Sequence, residues 1–400
     1  MVTLANFDVH PLQVEQSRAD FPGLLYIVKK YGRDFVFFLI ASCIVVFLAK
    51  SRSLSFRKAN IAGFSALFLF QFLICLKVFA AGAAERAIFI VIFSTSIMFL
   101  FAVLLNRRHR VSDFNMHDVL IIGAVANFAT VAVNGLVLFL NVDAAFRGSG
   151  RFMGMSANPQ NLSYFLAITC IFPLAFARIA RGRILQALCI ASVVGAIVII
   201  LSTGSRGPLG LVFISIIFVF FGIWRSRFAS PLSALIVLIT PLVVSSLGDD
   251  LLGERGNTRA YVWAYQVSEF VENPILGQPA TGDRIEFGEN SWLGSASKLG
   301  LVGVTFLFGF VYSSYPRNSS RILELEFEVA AARVAYWGIM FASMFEGLIA
   351  GFTNGAIFLL IFMLLANGAR GYNALHRGCV AASENAPMHY NFARTNARKK

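Results

Sequence analysis

Long apolar runs separated by short polar connectors set the pattern of this chain from about residue 34 to residue 367. A bilayer core of roughly 30 Å takes roughly 20 apolar residues of helix. By that measure the runs at 34–50, 60–80, 87–105, 118–140, 161–177, 184–202, 207–223, 231–247, 292–312, 334–350 and 354–367 are candidate spans. Only Gly351 to Thr353 part the last two, and the final run is short with Gly355 near its start, which suits a re-entrant segment. Residues 248–291 interrupt the apolar pattern with a long polar segment, and 368–400 form a basic tail. The pattern predicts an all-α polytopic membrane protein of about 11–12 transmembrane helices, one integral membrane domain over 1–400, with a single large loop at 248–291.

Composition sharpens this. The chain is 57% hydrophobic and 14% charged, with a mean hydropathy of +0.71, more apolar surface than one soluble core can hide. Lys and Arg outnumber Asp and Glu by 34 to 21, a net charge of +13. In a membrane protein such an excess marks cytoplasmic loops beside anionic lipid, so nucleic acid is not an expected partner. If the connector with Lys50, Arg52, Arg57 and Lys58 is cytoplasmic, alternation also puts Arg107, Arg108, Arg110, Arg178, Arg181, Arg183, Arg225, Arg227, Arg317, Arg321, Arg333 and the basic tail inside. The opposite side receives the smaller share of basic residues and the 248–291 loop, which is therefore expected to be external. Lys29, Lys30 and Arg33 fall outside in this scheme, and an additional span around 21–28 would bring them in. The first thirty residues carry no short apolar run with a small-residue cleavage site, so the first span is expected to direct insertion. Of five cysteines, Cys43, Cys75, Cys170 and Cys189 lie in apolar runs and Cys379 in the tail, with no CxxC pair or metal-binding spacing.

Two charges stand out inside the runs, Lys77 and Glu346, each a few residues from the outer end of its span. At ~1.5 Å per residue they lie only about 5 Å deep. They either line an outward-facing cavity as a pair or snorkel separately to the interface. Asn127, Thr130 and Asn134 share one helical face, placed for hydrogen bonds between helices or for a polar cavity.

The outer connectors hold the candidate chemistry. Arg147-Gly-Ser-Gly-Arg151 precedes Gly154 and Asn158-Pro159, giving two planar guanidiniums for phosphate or for lipid headgroups and a helix start at Asn-Pro. Thr203-Gly-Ser-Arg-Gly207 joins two apolar runs, setting a guanidinium on a tight turn ahead of a helix N-terminus, whose free N–H donors suit an anionic headgroup. Beyond it come Arg255, Arg259-Ala-Tyr-Val-Trp263, Asn273-Pro-Ile-Leu-Gly277, Glu289-Asn290-Ser-Trp-Leu293 and Gly300-Leu-Val-Gly303.

This order and spacing resembles the O-antigen ligase and polymerase family (Wzy-type). Its members carry a Ser-Arg-Gly turn, an external loop with Arg-x-x-x-Trp and Pro-Leu-Leu-Gly-like elements, a His-Asn near the loop's end and Gly-Leu-Ile-Gly in the next helix. The resemblance covers about residues 145 to 305, and Gly154 with Asn158-Pro159 looks like the family's Gly-x-x-x-(Asn/His)-Pro element. One departure is that Glu289 stands where the ligases have a histidine, so a polysaccharide polymerase fits better than a ligase.

The resemblance implies a GT-C-like, metal-independent membrane glycosyltransferase without a cofactor, in the inner membrane of a bacterium. It would move a growing saccharide from undecaprenyl diphosphate to a hydroxyl of an incoming undecaprenyl-diphosphate-linked oligosaccharide, with a chain-length regulator and a flippase as working partners. The catalytic candidates are then Arg206 and Arg259, to neutralise charge growing on the diphosphate, and Glu289, as a base toward the sugar hydroxyl, the alternatives for Glu289 being an acceptor that shapes the loop or a salt-bridge partner of Arg284 or Lys298. Ser205, Arg147, Arg151, Arg255, Trp263 and Asn290 are the substrate-binding candidates. Tyr261, Tyr265 and Trp292 offer further faces for sugars or anchors at the interface. A ligase acting on lipid A core is the alternative within the family, and a transporter or flippase of lipid-linked saccharides the alternative from another class. The halves of the sequence show no repeat of the kind common in transporters.

Overall fold

The computed structural model describes residues 61–92, 116–146, 150–156, 158–221, 258–280, 287–317, 323–350 and 355–367, with isolated positions elsewhere. Among these residues the regular structure is entirely helical. The main helices are α1 (Ile61–Ala80), α2 (Met116–Leu140), α3 (Pro159–Thr169), α4 (Ile171–Ile179), α5 (Arg183–Ser202), α6 (Arg206–Phe221), α7 (Thr258–Glu272), α8 (Ser291–Ser314), α9 (Leu323–Ser343) and α10 (Gly355–Asn367), with a short helical turn at Val142–Ala145 and further helical residues at 84–92. Five stretches, α1, α2, the joined α3–α4, α5 and α8, are long and apolar enough to cross a membrane, which makes this a multi-pass membrane protein. The expected spans at 34–50 and 231–247, most of 87–105, and the basic tail lie outside the described residues.

The joined α3–α4 helix is the axis of the bundle. Every residue from Leu162 to Pro173 is buried, as expected of a helix that is apolar on all sides. Asn158 caps its start by accepting from the Gln160 N–H at 2.8 Å, with Pro159 in the first helical position, where a missing N–H costs nothing. Pro173 cannot donate to the Thr169 carbonyl, and the helix is interrupted at Cys170. Around this axis stand α2, α5, α6 and α9, while α1 lies along α8. Gly123 on α2 lets the Phe172 ring approach so closely that a Cβ there would fall 2.2 Å from it. Helix α5 keeps one face outward, with Ile184, Leu188, Val194 and Val198 exposed as a band suited to lipid tails.

The Asn127, Thr130 and Asn134 face holds the packing together. Asn127 donates to Thr169 Oγ1 at 2.9 Å and accepts from Ser192 Oγ at 2.7 Å, tying α2 to α3 and α5. Asn134 accepts from the Met155 N–H at 2.9 Å and so fixes the loop before α3. The bonds of Asn127 and Asn134 run between elements, the simpler of the two expected roles, whereas Thr130 donates back to the Ala126 carbonyl of its own helix.

Helix α8 is broken at Gly300 (φ 66°, ψ −167°), in a region that only glycine tolerates. The turn 274–277 docks there. Gln278 donates its N–H to the Ser297 carbonyl at 2.8 Å, and Leu301 and Val302 donate theirs to Pro274 and Ile275 at 2.8 and 3.3 Å. The Asn273-Pro-Ile-Leu-Gly277 and Gly300-Leu-Val-Gly303 motifs are thus two halves of one joint. Lys77 from α1 donates to the Gln278 carbonyl at 2.6 Å, and Glu269 of α7 pairs with Lys298 at 2.7 Å. Burial would raise the Glu269 carboxyl, but hydrogen bonds from Lys298, Ser297 and Tyr265 and the Lys298 charge outweigh it and hold the group below its ordinary range.

The expected tenth span, 334–350, differs in register. Helix α9 begins at Leu323 and stops at Ser343, and 344–350 form turns, so Glu346 sits on non-helical backbone rather than on a helix end. The cause is tertiary: Ser291 Oγ donates to the Glu346 carbonyl at 2.8 Å and accepts from the Ile349 N–H at 3.2 Å, satisfying backbone groups that helix would otherwise have paired. The segment expected as a loop at 248–291 likewise contains a regular helix, α7.

Because the helices alternate in direction, one end of the bundle collects the end of α1, the segments 141–146 and 150–156, the 203–205 connector, α7, the start of α8 and the 344–350 turns. The other end carries the His117–Glu328 pair at 2.8 Å and the stack of Arg178 on Phe327 at 5.7 Å.

Candidate functional site

The first part of the site is the corner between α5 and α6. Helix α5 ends where the Thr203 N–H bonds to Ile199, and Ser205 immediately precedes α6. Arg151 reaches over from the 150–156 connector, donating from Nε to the Thr203 carbonyl at 2.6 Å and from Nη2 to Ser205 Oγ at 2.8 Å. The Phe152 N–H adds a bond to the Ser202 carbonyl at 3.0 Å. The glycine-rich segment is thereby stapled to the Ser-Arg-Gly turn, and the Arg151 fork serves that joint. Arg206 opens α6 with its side chain exposed, and among the described residues it makes no ion pair.

The second part is centred on Arg259, in the first turn of α7. Its Nε lies 3.3 Å from Glu289 Oε2, its Nη2 lies 3.6 Å from Glu346 Oε1, and its guanidinium sits over the Phe345 ring at 5.2 Å. It also lies close enough to the buried Tyr164 hydroxyl to act on it electrostatically. That hydroxyl in turn touches Gly207, where an added Cβ would lie 2.6 Å from it. Tyr164 therefore links the Arg259 cluster to the corner that bears Arg206. The 344–350 turns press against the end of the loop, since a Cβ at Gly347 would meet the Gly288 carbonyl at 3.1 Å.

Of the remaining candidates, Asn290 and Trp263 take structural positions. Asn290 is buried and caps α8, its Oδ1 accepting from the N–H groups of Trp292 and Leu293 at 2.9 and 3.0 Å. Trp263 is buried against Phe345 at 6.0 Å, leaving no open face for a sugar, whereas Tyr261 and Tyr265 of the same helix are exposed. Trp292 donates its indole N–H to Ser343 at 2.8 Å. Arg147, Arg255 and Arg284 lie outside the described residues. Glu289 pairs with Arg259 rather than with Lys298, which belongs to Glu269. Lys77 and Glu346 do not meet: the former serves the joint at Gly300 and the latter faces Arg259.

Sequence reasoning left Glu346, Tyr164 and Phe345 outside the site. The one available signal was a carboxylate in an apolar run, and nothing in its neighbours says which cation it faces. Among the described residues, four of the six buried polar atoms without a hydrogen-bond partner lie at this end, Asn161 Oδ1, Trp263 Nε1, Gln266 Oε1 and Glu346 Oε1, the others being Gln71 Oε1 and Trp337 Nε1. Such a concentration suits a surface that receives a polar ligand. Chemically, the exposed Arg206 at a helix start offers a cation and N–H donors to an anion, while a guanidinium flanked by two carboxylates is suited to proton transfer beside developing charge. Among the described residues no three His, Cys, Asp or Glu side chains gather as a metal site would need. No family model matches this chain, and no curated protein matches it.

Proposed function

We propose that this multi-pass protein is a membrane glycosyltransferase that polymerises a bacterial surface polysaccharide from undecaprenyl-diphosphate-linked oligosaccharides on the outer face of the inner membrane. The observation that carries the reading is the convergence of Arg259, Glu289 and Glu346 at the end of the bundle that also bears the Arg206 corner, linked to it through Tyr164. In the reaction, a hydroxyl of the incoming repeat unit bonds to the anomeric carbon of the donor saccharide. The carbon–oxygen bond to undecaprenyl diphosphate breaks, its electron pair leaves on the diphosphate, and the hydroxyl proton passes to a carboxylate. Arg206 and the α6 N-terminus neutralise the diphosphate, and Arg259, itself partly neutralised by its carboxylates, holds the acceptor side. On this reading α7 and its flanking turns form the external loop of a GT-C-like architecture that needs no metal.

Deletion of the gene in its host, followed by analysis of lipid-linked and surface saccharide, tests the proposal. The expected result is an accumulation of single lipid-linked repeat units, reversed by the wild-type protein. Arg206→Ala and Arg206→Lys, confirmed present in the membrane, should restore polymer on the order of a hundredfold less well, because a point charge does not replace a planar fork. Full-length polymer left untransferred on its carrier would instead indicate a ligase, and unchanged polymer would end the reading.

A further inference from the structure

We infer that Glu346, and not the loop carboxylate Glu289, takes the proton from the acceptor hydroxyl; this assignment rests on the glycosyl-transfer reading above. The Glu346 side chain is only 4% exposed and its Oε1 has no hydrogen-bond partner. The Arg259 Nη2 atom, at 3.6 Å, lies beyond hydrogen-bond length from that oxygen and leaves its lone pairs unused. Glu289 is 42% exposed, open to solvent, and lies closer to the same guanidinium, at 3.3 Å, as its ion-pair partner. A buried acceptor without a partner is costly unless a ligand supplies the donor, and a sugar hydroxyl is such a donor.

The backbone that carries Glu346 is fixed from several sides. Its N–H bonds to the Ala342 carbonyl at 3.0 Å, and its carbonyl accepts from Ser291 Oγ at 2.8 Å and from the Leu348 N–H at 2.8 Å. Phe345, the preceding residue, lies under the Arg259 guanidinium. The charged groups acting on Glu346 are Arg259, Glu289 and Arg151. A rigid carboxylate beside a guanidinium, with one free oxygen, is pre-organised to accept a proton while Arg259 steadies the charges around it. In the step, the hydroxyl proton moves to Oε1 of ionised Glu346 as the new glycosidic bond forms and undecaprenyl diphosphate departs, and it is released to solvent before the next turnover. Glu289 is then a positioning residue that orients Arg259.

The test uses the purified full-length protein with lipid-linked repeat units extracted from cells lacking it. Glu346→Gln should lower kcat by about a hundredfold or more with KM within about threefold, while Glu289→Gln should lower it by less than about tenfold. Formate should restore part of the turnover of Glu346→Ala, because it supplies the missing carboxylate. A folded Glu346→Ala that formate leaves inactive, or a Glu346→Gln that works at the wild-type rate, overturns the assignment. Should Gln and Ala prevent folding, Glu346→Asp carries the test: a fall in kcat at unchanged KM supports the proton-accepting role, and an undiminished kcat overturns it. Wild-type protein that transfers nothing overturns the glycosyl-transfer reading and this inference together, whereas wild-type transfer with an active Gln variant overturns this inference alone.

Discussion

Replacing Gly300 by alanine should undo the joint that holds the loop against the bundle. At φ 66° and ψ −167° a side chain is strained whatever space surrounds it, at about 1–3 kcal/mol. The added Cβ would also stand 2.2 Å from the Ile275 carbonyl oxygen, 2.3 Å from its carbon and 2.6 Å from the Leu276 nitrogen, all of them backbone atoms. Relief to even 3.0 Å requires a shift of 0.8 Å, the difference from 2.2 Å. Such a shift lengthens the bonds Gln278 to Ser297, Leu301 to Pro274 and Val302 to Ile275, now 2.8, 2.8 and 3.3 Å. Each contributes about 0.5–1.5 kcal/mol net. With the strain, the expected loss is several kcal/mol, about 3–5. Gly210, in α6 with nothing within 4 Å of an added Cβ, is the matched control. Alanine there should be neutral or slightly stabilising, by up to about 1 kcal/mol. Thermal unfolding of both variants in the same detergent, with limited proteolysis around 274–280 as a local probe, reads the difference. If Gly300→Ala unfolds with the wild-type midpoint and its turn resists protease as well, the docking described here does not stabilise the protein.

Two further measurements bear on the loop and its placement. The Glu269 carboxyl is held below its ordinary range, so its stabilising contribution is fully present above the unfolded value of about 4.3 and drains as pH falls through the lower folded value; acid unfolding below about pH 4 should therefore be shallower in Glu269→Gln, and an unchanged pH profile would remove Glu269 from the joint. A reporter active only outside the cytoplasm should be active when fused at Gly282 and silent when fused after Arg227, and the reverse pattern would place the Arg259 cluster on the side where lipid-linked units are not expected to be joined.

The sequence by itself determines the helical, membrane-spanning character of the chain and most helix limits, because hydropathy and caps act over a few turns. Asn158-Pro159 and Asn290 mark helix starts without reference to anything distant, and the joined α3–α4 run is apolar enough to be buried wherever it packs. The motifs were equally legible as a set around one loop. Only the tertiary structure decided what each does. Asn273-Pro-Ile-Leu-Gly277 and Gly300-Leu-Val-Gly303 become one joint through backbone bonds that no side-chain pattern encodes. Trp263, expected among the substrate-binding residues, is spent on packing, and Asn290 on a cap. Glu346 faces Arg259 rather than Lys77 because α9 stops at Ser343 and Ser291 captures the turn that follows. Charge alone cannot choose among several cations at one end of a bundle; the choice follows from where rigid helices, each fixed locally, bring their ends together.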